Sequence, residues 1–486
     1  MLVLRHEDEQ LVFFEAVPPS QTGRSLFELD GSVAPDTVNE FATSPERRRR
    51  AASVLQELGF RVRHVGRFSI SGEGPRQLWE ETFHTEVERR SHHLTTGDRQ
   101  LGEIAYWSHV ADVPFTVPDV LQGLVERAYP QPPPILFESP LPPRVDYHHL
   151  RVPDDVALVL RARRAHSAGV TARGVLVAMP DTGFYRHPFF AWHGYRYTAT
   201  LAPDAVGVER DEVGHGTAES ANVFAVAPDV DFVGMKMGPN ATLAFKASSD
   251  LQPAVITNSW GYDLADATTL PNFLRPLEAA VIEATRLRGI TVCFSAGNGH
   301  TAFPAMMPDV VAVGGVFAHS ELVGDDFRLE ASDYASSFDS LIYPGRHVPD
   351  VCGLVGLQPR GIYIVLPVEP GDAIDTGLAG GSFPLQDETA GSDGWAVISG
   401  TSAACPQVAG VCALLKQVQP GLSPALMKSL LQASARDVVV GHSHMGQPAG
   451  EGFDGATGSG LVDAYTAMTL ARSVAIRDLF TLPPPR

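Results

Sequence analysis

Between residues 175 and 316 the chain repeats one pattern, a short and nearly continuous apolar run followed by a stretch long enough for a helix. The runs lie at 175–179, 230–237, 254–257, 290–294 and 310–316. A strand that is apolar at almost every position has to be buried on both faces. Alternation of such strands with helix-length segments, of which 273–287 is the clearest, predicts a mostly parallel sheet with helices on both sides. The pattern also says where chemistry belongs. Open α/β sheets bind ligands beyond the carboxyl ends of their strands. Asp181 follows the first run and Asn298 the fourth, so both stand in that position.

Four short motifs occupy this part of the chain. Asp181 sits in Pro-Asp-Thr-Gly and His215 in Gly-His-Gly-Thr. Asn298 closes Ser-Ala-Gly-Asn, and Ser402 sits in Gly-Thr-Ser-Ala-Ala-Cys-Pro. Each residue has an ordinary reading by itself. Asp181 caps a turn, His215 is one of 17 histidines, Asn298 takes a left-handed turn between two glycines, and Ser402 caps a helix. Together they hold the parts that activate a hydroxyl. Ser402 opens a helix through Val408, Val411, Leu414 and Leu415, whose free N–H groups and dipole favour a developing oxyanion. An imidazole can take and return the hydroxyl proton, a carboxylate can fix its tautomer, and an amide can donate to the oxyanion.

In this order the motifs resemble those of the subtilases, the subtilisin-like serine proteases, over roughly residues 155–470. The resemblance implies an α/β, subtilisin-like three-layer fold with a mostly parallel sheet. It implies a serine endopeptidase that hydrolyses peptide bonds through an acyl-enzyme, with Asp181, His215 and Ser402 as triad. Asn298 and the Ser402 N–H would form the oxyanion hole. Ser259, Trp260 and Gly261 resemble one wall of the substrate cleft, and Ala296 and Gly297 the opposite wall. Backbone groups there can pair with an extended peptide. Peptide or protein substrates are the expected partners, and no cofactor is required. Two rivals share the motifs: a transpeptidase or macrocyclase on the same scaffold, and an inactive protease fold used as a binding scaffold.

The chain departs from the family pattern in places. Ala218 and Glu219 stand where His and Val are common. Glu219 is one turn beyond His215 and would raise its pKa, unless it is a surface-paired carboxylate. Trp260 is bulkier than the expected aliphatic residue, and either shapes a side-chain pocket or packs in the core. Cys405 is either reachable from the cleft or an inert core thiol. A glycine- and acid-rich segment between 367 and 397 carries Asp372, Asp375, Asp387, Glu388 and Asp393. It reads as a solvated loop, with structural calcium as the alternative, although its spacing matches no metal motif.

Residues 1–130 read as a separate α+β unit. A strand at 11–14, a helix capped by Ser44 with Pro45 in its first turn, a strand within 60–70 and a turn at 71–75 come first. With a helix around Leu78, Trp79 and Phe83 and strands at 86–90 and 124–129, the order is βαββαβ with gaps, which fits a ferredoxin-like sandwich. The segment around Trp79 resembles the pro-domains of sedolisins, and the resemblance implies an intramolecular inhibitor. Proline runs at 130–134 and 140–143 mark a linker over 131–155, either a tether cut during maturation or a plain spacer. The catalytic unit then spans 156–475 and a tail 476–486. The Arg47–Arg50 run reads as a helix face rather than a processing site.

Hydrophobic content of 44% and charged content of 19% are those of a globular chain. A net charge of −19 argues against nucleic-acid partners. No segment has the length of apolar sequence that a membrane span needs, and the first residues lack a basic-then-apolar leader. The expected location is therefore cytoplasmic. Four cysteines do not make a disulfide scaffold.

Overall fold

Along the first strand, β1 (Leu11–Val17), side chains alternate between two environments. Val12, Phe14 and Ala16 join a core with Ala51, Val54 and Leu55 of helix α1 (Pro45–Glu57) and with Trp79 and Phe83 of helix α2 (Arg76–Phe83). Glu15 and Val17 face the other way, toward the rest of the chain. In this computed structural model the described residues are 11–29, 31–96, 99–110, 115–132, 135–136, 148–323, 326–358, 361–381, 386–389 and 391–481.

The N-terminal sheet is completed by β2 (Arg61–Val65), β3 (Ile70–Pro75) and β6 (Arg127–Pro130) in the order β2-β3-β1-β6, each neighbouring pair antiparallel. With α1 after β1 and α2 after β3, these elements run βαββαβ, but the third strand falls where a turn was expected and the strand expected at 86–90 is not in this sheet. A long hairpin, β4 (Val87–Thr96) with β5 (Arg99–His109), is inserted between α2 and β6, and the segment 86–90 belongs to it. Ser44 caps α1 as expected, its Oγ accepting the Arg47 N–H at 3.2 Å, and Arg47–Arg50 lie on that helix. One local reading is corrected. Residues 71–75 form no turn but the body of β3. Gly72 and Gly74 are there for packing: a Cβ would meet the Phe14 ring at 2.6 Å and the Phe60 ring at 2.5 Å.

The larger unit is built on β8 (Leu176–Asp181), β9 (Arg196–Leu201), β10 (Asp231–Lys236), β11 (Val255–Asn258), β13 (Thr291–Ser295), β14 (Val311–Val323), β15 (Asp326–Ala331) and β16 (Val351–Leu354). The strand order is β9-β10-β8-β11-β13-β14-β15, with β16 also paired to β14. Only β15 runs antiparallel. Val177 and Met179 point into a core with helices α3 (His215–Val226) and α6 (Thr401–Val418). Ala178, between them, points into a second core with α4 (Ala241–Asp250) and α5 (Arg275–Ile282). Two buried faces explain the continuous apolar runs. Two further helices, α7 (Pro424–Ser434) and α8 (Ala464–Thr481), close the domain, and α8 runs through position 475.

The sandwich docks on α4 and α5. Val17, Leu26, Val33, Val38, Phe41 and Phe68 belong to the second core. Glu15 accepts hydrogen bonds from Lys246 Nζ at 3.0 Å and from Asn240 Nδ2 at 3.1 Å. Most of the proline-flanked linker lies outside the described residues. Its two described inner residues form a short strand, β7 (Ile135–Leu136), antiparallel to β12 (Trp260–Asp263). Among the described residues, no helix is long and apolar enough to cross a membrane.

Candidate active site

The chain enters the sheet at β8, in the middle, moves outward to β9 and β10, and then crosses back to β11. The crevice at that reversal lies at the carboxyl end of β8, where Asp181 is the last strand residue. Asp181 Oδ1 lies 2.6 Å from His215 Nδ1 and accepts the Thr182 N–H at 2.7 Å. Both partners of the ion pair are buried. His215 is the first residue of α3 and Ser402 the second of α6, two helices packed together beneath the crevice.

Ser402 is held to the wall strand by two contacts. Its Oγ is 3.4 Å from the Ser259 carbonyl, and the Ser259 hydroxyl donates to the Ser402 carbonyl at 2.8 Å. Pro406 explains the second. It lies four residues on within α6 and has no N–H, so the helix leaves the Ser402 carbonyl without its usual donor. Asn298 is oriented by Thr401. Its Oδ1 accepts from the Thr401 N–H at 3.0 Å and lies 3.1 Å from the Thr401 hydroxyl, so Nδ2 is the end turned away from α6. Thr401 Oγ1 also accepts the Gly297 N–H at 3.1 Å.

The walls differ in character. Gly261 and Trp260 pair through their backbones with Ile135 and Leu136 of β7. On the opposite wall, the Ala296 N–H donates to Val313 at 2.8 Å and the Gly297 carbonyl accepts from Ser336 at 2.8 Å. The Ala296 N–H and both backbone groups of Gly297 are thus engaged inside the domain. Trp260 is fully buried, and its indole N–H donates to the Pro180 carbonyl at 3.0 Å. Of its two sequence readings, the structure selects core packing.

Sequence reasoning missed a buried carboxylate. Asp211 is fully buried; its Oδ1 accepts from the Thr182 hydroxyl at 2.8 Å and the Gly214 N–H at 3.0 Å. Its Oδ2 accepts from the Thr217 N–H at 2.8 Å and the Thr217 hydroxyl at 2.6 Å. One side chain thus joins the turn after Asp181 to the start of the His215 helix. Its position four residues before His215 was the available signal. Glu219 is also buried, and Asn222 donates to it at 2.9 Å, so it is no surface pair. Cys405 is a core thiol: fully buried, it is pushed up to about 12 by burial.

The acid-rich segment is solvated only in part: Asp372, Asp375 and Asp387 are buried, whereas Glu388 and Asp393 are exposed. Asp375 accepts from the Gly371 and Ser392 N–H groups at 2.8 and 3.1 Å, and Asp387 from Thr389 and Val397 at 3.0 and 2.9 Å. These two carboxylates are turned onto backbone donors. Among the described residues, no three His, Cys, Asp or Glu side chains are grouped to hold a metal. Asp372 begins a short helix (Ala373–Leu378) that lies on the strap before His215, its neighbours donating to the Glu212 and Val213 carbonyls at 3.1 and 3.2 Å. Asp372 Oδ2 is buried with no partner among the described residues. Burial, with the nearby charges of Asp211 and Asp375, pushes Asp372 up to about 8. Gly214 has φ +93° and a Cβ there would sit 2.1 Å from that oxygen, so no other residue fits.

Comparison with known proteins places the chain in a family. The Subtilase family, peptidase S8, matches residues 172–460. Alkaline elastase YaB of Bacillus sp. (strain YaB) is 27% identical over 330 residues, covering 63% of this chain and 68% of its own. Subtilisin Savinase of Lederbergia lenta is 27% identical over 321 residues, covering 63% of this chain and 96% of its own. Among solved structures, fervidolysin from Fervidobacterium pennivorans, described as a keratinolytic enzyme related to subtilisin, aligns with a TM-score of 0.53 at 17% identity. That alignment covers 94% of this chain, which spans 61% of the fervidolysin chain.

Proposed function

This chain belongs to the subtilase family and is a subtilisin-like serine endopeptidase, and from that premise we propose that Asp181, His215 and Ser402 act as its triad and that its N-terminal sandwich inhibits it in cis. The observation that carries the triad is the buried 2.6 Å contact between Asp181 and His215 Nδ1, which orients the ring's other nitrogen as the base.

Ser402 Oγ attacks the peptide carbonyl carbon while its proton passes to His215 Nε2. The oxyanion accepts from Asn298 Nδ2 and the Ser402 N–H. His215 then protonates the departing amine, the C–N bond breaks, and an acyl-enzyme remains. Water, deprotonated by His215, releases the acid and restores the hydroxyl.

Self-inhibition is supported by β7. A segment that follows the sandwich lies antiparallel on the Trp260–Gly261 wall, where a substrate strand would pair. Intact mass of wild type and Ser402→Ala, with and without a fluorophosphonate probe, tests both parts. The expected result is a probe adduct on wild type alone and loss of an N-terminal piece, cut within a few residues of Leu136, in wild type alone. No adduct on wild type after residues 1–150 are removed would overturn the triad. An adduct with no inhibition by the restored sandwich would overturn self-inhibition. Product mass separates hydrolysis, which adds water, from transpeptidation, which does not.

A further inference from the structure

At the point where the crevice opens, β8 loses its partner on one side. Pairing of β8 with β11 is recorded at Val177 and Ala178 and goes no further. The last residues, Pro180 and Asp181, remain paired only with Met235 and Lys236 of β10 on the other side. Pro180 also has no N–H with which to hold a neighbour. The residue expected to fix the catalytic imidazole thus stands at a strand end with one free edge.

The Trp260 indole fills that edge. Its N–H donates to the Pro180 carbonyl at 3.0 Å, one residue before Asp181. Its ring meets Phe294 edge-on, with centroids 5.3 Å apart, on the strand that leads to Asn298. Its own backbone belongs to the wall that pairs with Leu136, and its neighbour Ser259 donates to Ser402. An aliphatic side chain could occupy similar volume but has no donor.

We propose that Trp260 is a positioning residue that replaces the missing rung between β8 and β11, so that Asp181 is held by the same strand that holds the peptide. This rests on the triad reading above. A peptide paired along β12 steadies Trp260, and through the indole it steadies the strand end that orients His215. Misplacement of a catalytic group by about 1 Å is enough to cost roughly a hundredfold in rate, so one hydrogen bond at this place has kinetic weight.

The test replaces Trp260 in the full chain with benzothienylalanine, which keeps the fused ring and deletes only the donor, beside Trp260→Phe. Rates are taken per active site by titration with the fluorophosphonate probe. The donor-less variant is expected to lose about tenfold in kcat, with KM for an extended peptide within about twofold and the probe reaction slowed in parallel. The acid limb of kcat/KM should move to lower pH, because a less firmly held Asp181 stabilises the imidazolium less. Unchanged kcat and an unchanged pH limb in the benzothienyl variant would overturn the proposal. So would a loss seen only in Trp260→Phe, which would make the effect one of packing. Ser402→Ala run alongside keeps the two readings apart. If it still turns over, the triad reading fails; if it is dead while the donor-less enzyme is fully active, only the role of Trp260 fails.

Discussion

Buried carboxylates serve opposite purposes in two regions of this molecule. Beneath the crevice, Asp211 takes all its hydrogen bonds from its own domain, from Thr182, Gly214 and Thr217. At the N-terminal contact, Glu15 takes bonds from Lys246 and Asn240 of the other domain. Burial alone would raise the Glu15 pKa, but Lys246 and the Ser69 and Ser71 hydroxyls outweigh it and hold it below its ordinary value. Separating the domains returns Glu15 and Lys246 to water together, so neither is left buried and alone. Asp211 can lose its partners only if the domain unfolds. A buried carboxylate is therefore held permanently or releasably according to which elements carry its partners.

The largest effect should come from the permanent region. Asn298→Ala removes the proposed oxyanion donor and is expected to lower kcat by roughly 10²–10³, with the Asp181–His215 contact intact. Steady-state kinetics on the processed enzyme would read it, and a loss below tenfold would count against the assignment. The releasable region should respond differently. Lys246→Met leaves Glu15 without its charge partner at a cost of ~1.5–3 kcal/mol, the range for hydrogen bonds to charged groups. In a Ser402→Ala background, hydrogen exchange in α4 and α5 should speed up roughly tenfold to a hundredfold, while β8 and α6 stay protected. Equal acceleration everywhere would erase the distinction between the regions. The charged form of Glu15 is the bonded one and its folded value is depressed. Its contribution is present above the ordinary glutamate range and is lost as pH falls through the lowered value.

The smallest effect tests an exception inside the permanent region. Asp372 has one oxygen without a partner among the described residues and is pushed up to about 8, chiefly by burial. An unfolded aspartate titrates near ~3.9. Between those values the folded state binds the extra proton, so this contribution to stability is full at low pH and is lost as pH rises toward 8. Asp372→Asn should remove that slope. Its melting temperature should match wild type near pH 4 and exceed it by a few degrees at pH 8.5. Parallel curves for the two proteins would mean that the carboxyl is ionised and solvated.

Legibility followed the range of the interaction. Ser44 before Pro45 announces a helix because capping involves neighbours. The alternation from 175 onward announces a doubly covered sheet because burial on two faces marks every residue of a strand. Gly72 and Gly74 read as a turn because the reason for them, the Phe14 and Phe60 rings, comes from elsewhere in the chain. The acid-rich segment read as solvated because nothing nearby shows that its carboxylates cap backbone donors such as Val397. Thr401 was visible inside its motif, but its hold on Asn298 spans 103 residues.

By itself the sequence determined the fold class and the placement of Asp181 and Asn298 past strand ends, and it singled out the four residues of the proposed site. It did so because helix and strand periods and short motifs are local. Tertiary structure alone decided which polar groups engage one another: Trp260 with Pro180, Asp211 with Thr182 and Thr217, Glu15 with Lys246, and β7 with β12. Each of those choices depends on a distance of about 3 Å between residues separated along the chain, and hydrogen bonding at that range is set by packing rather than by composition or spacing.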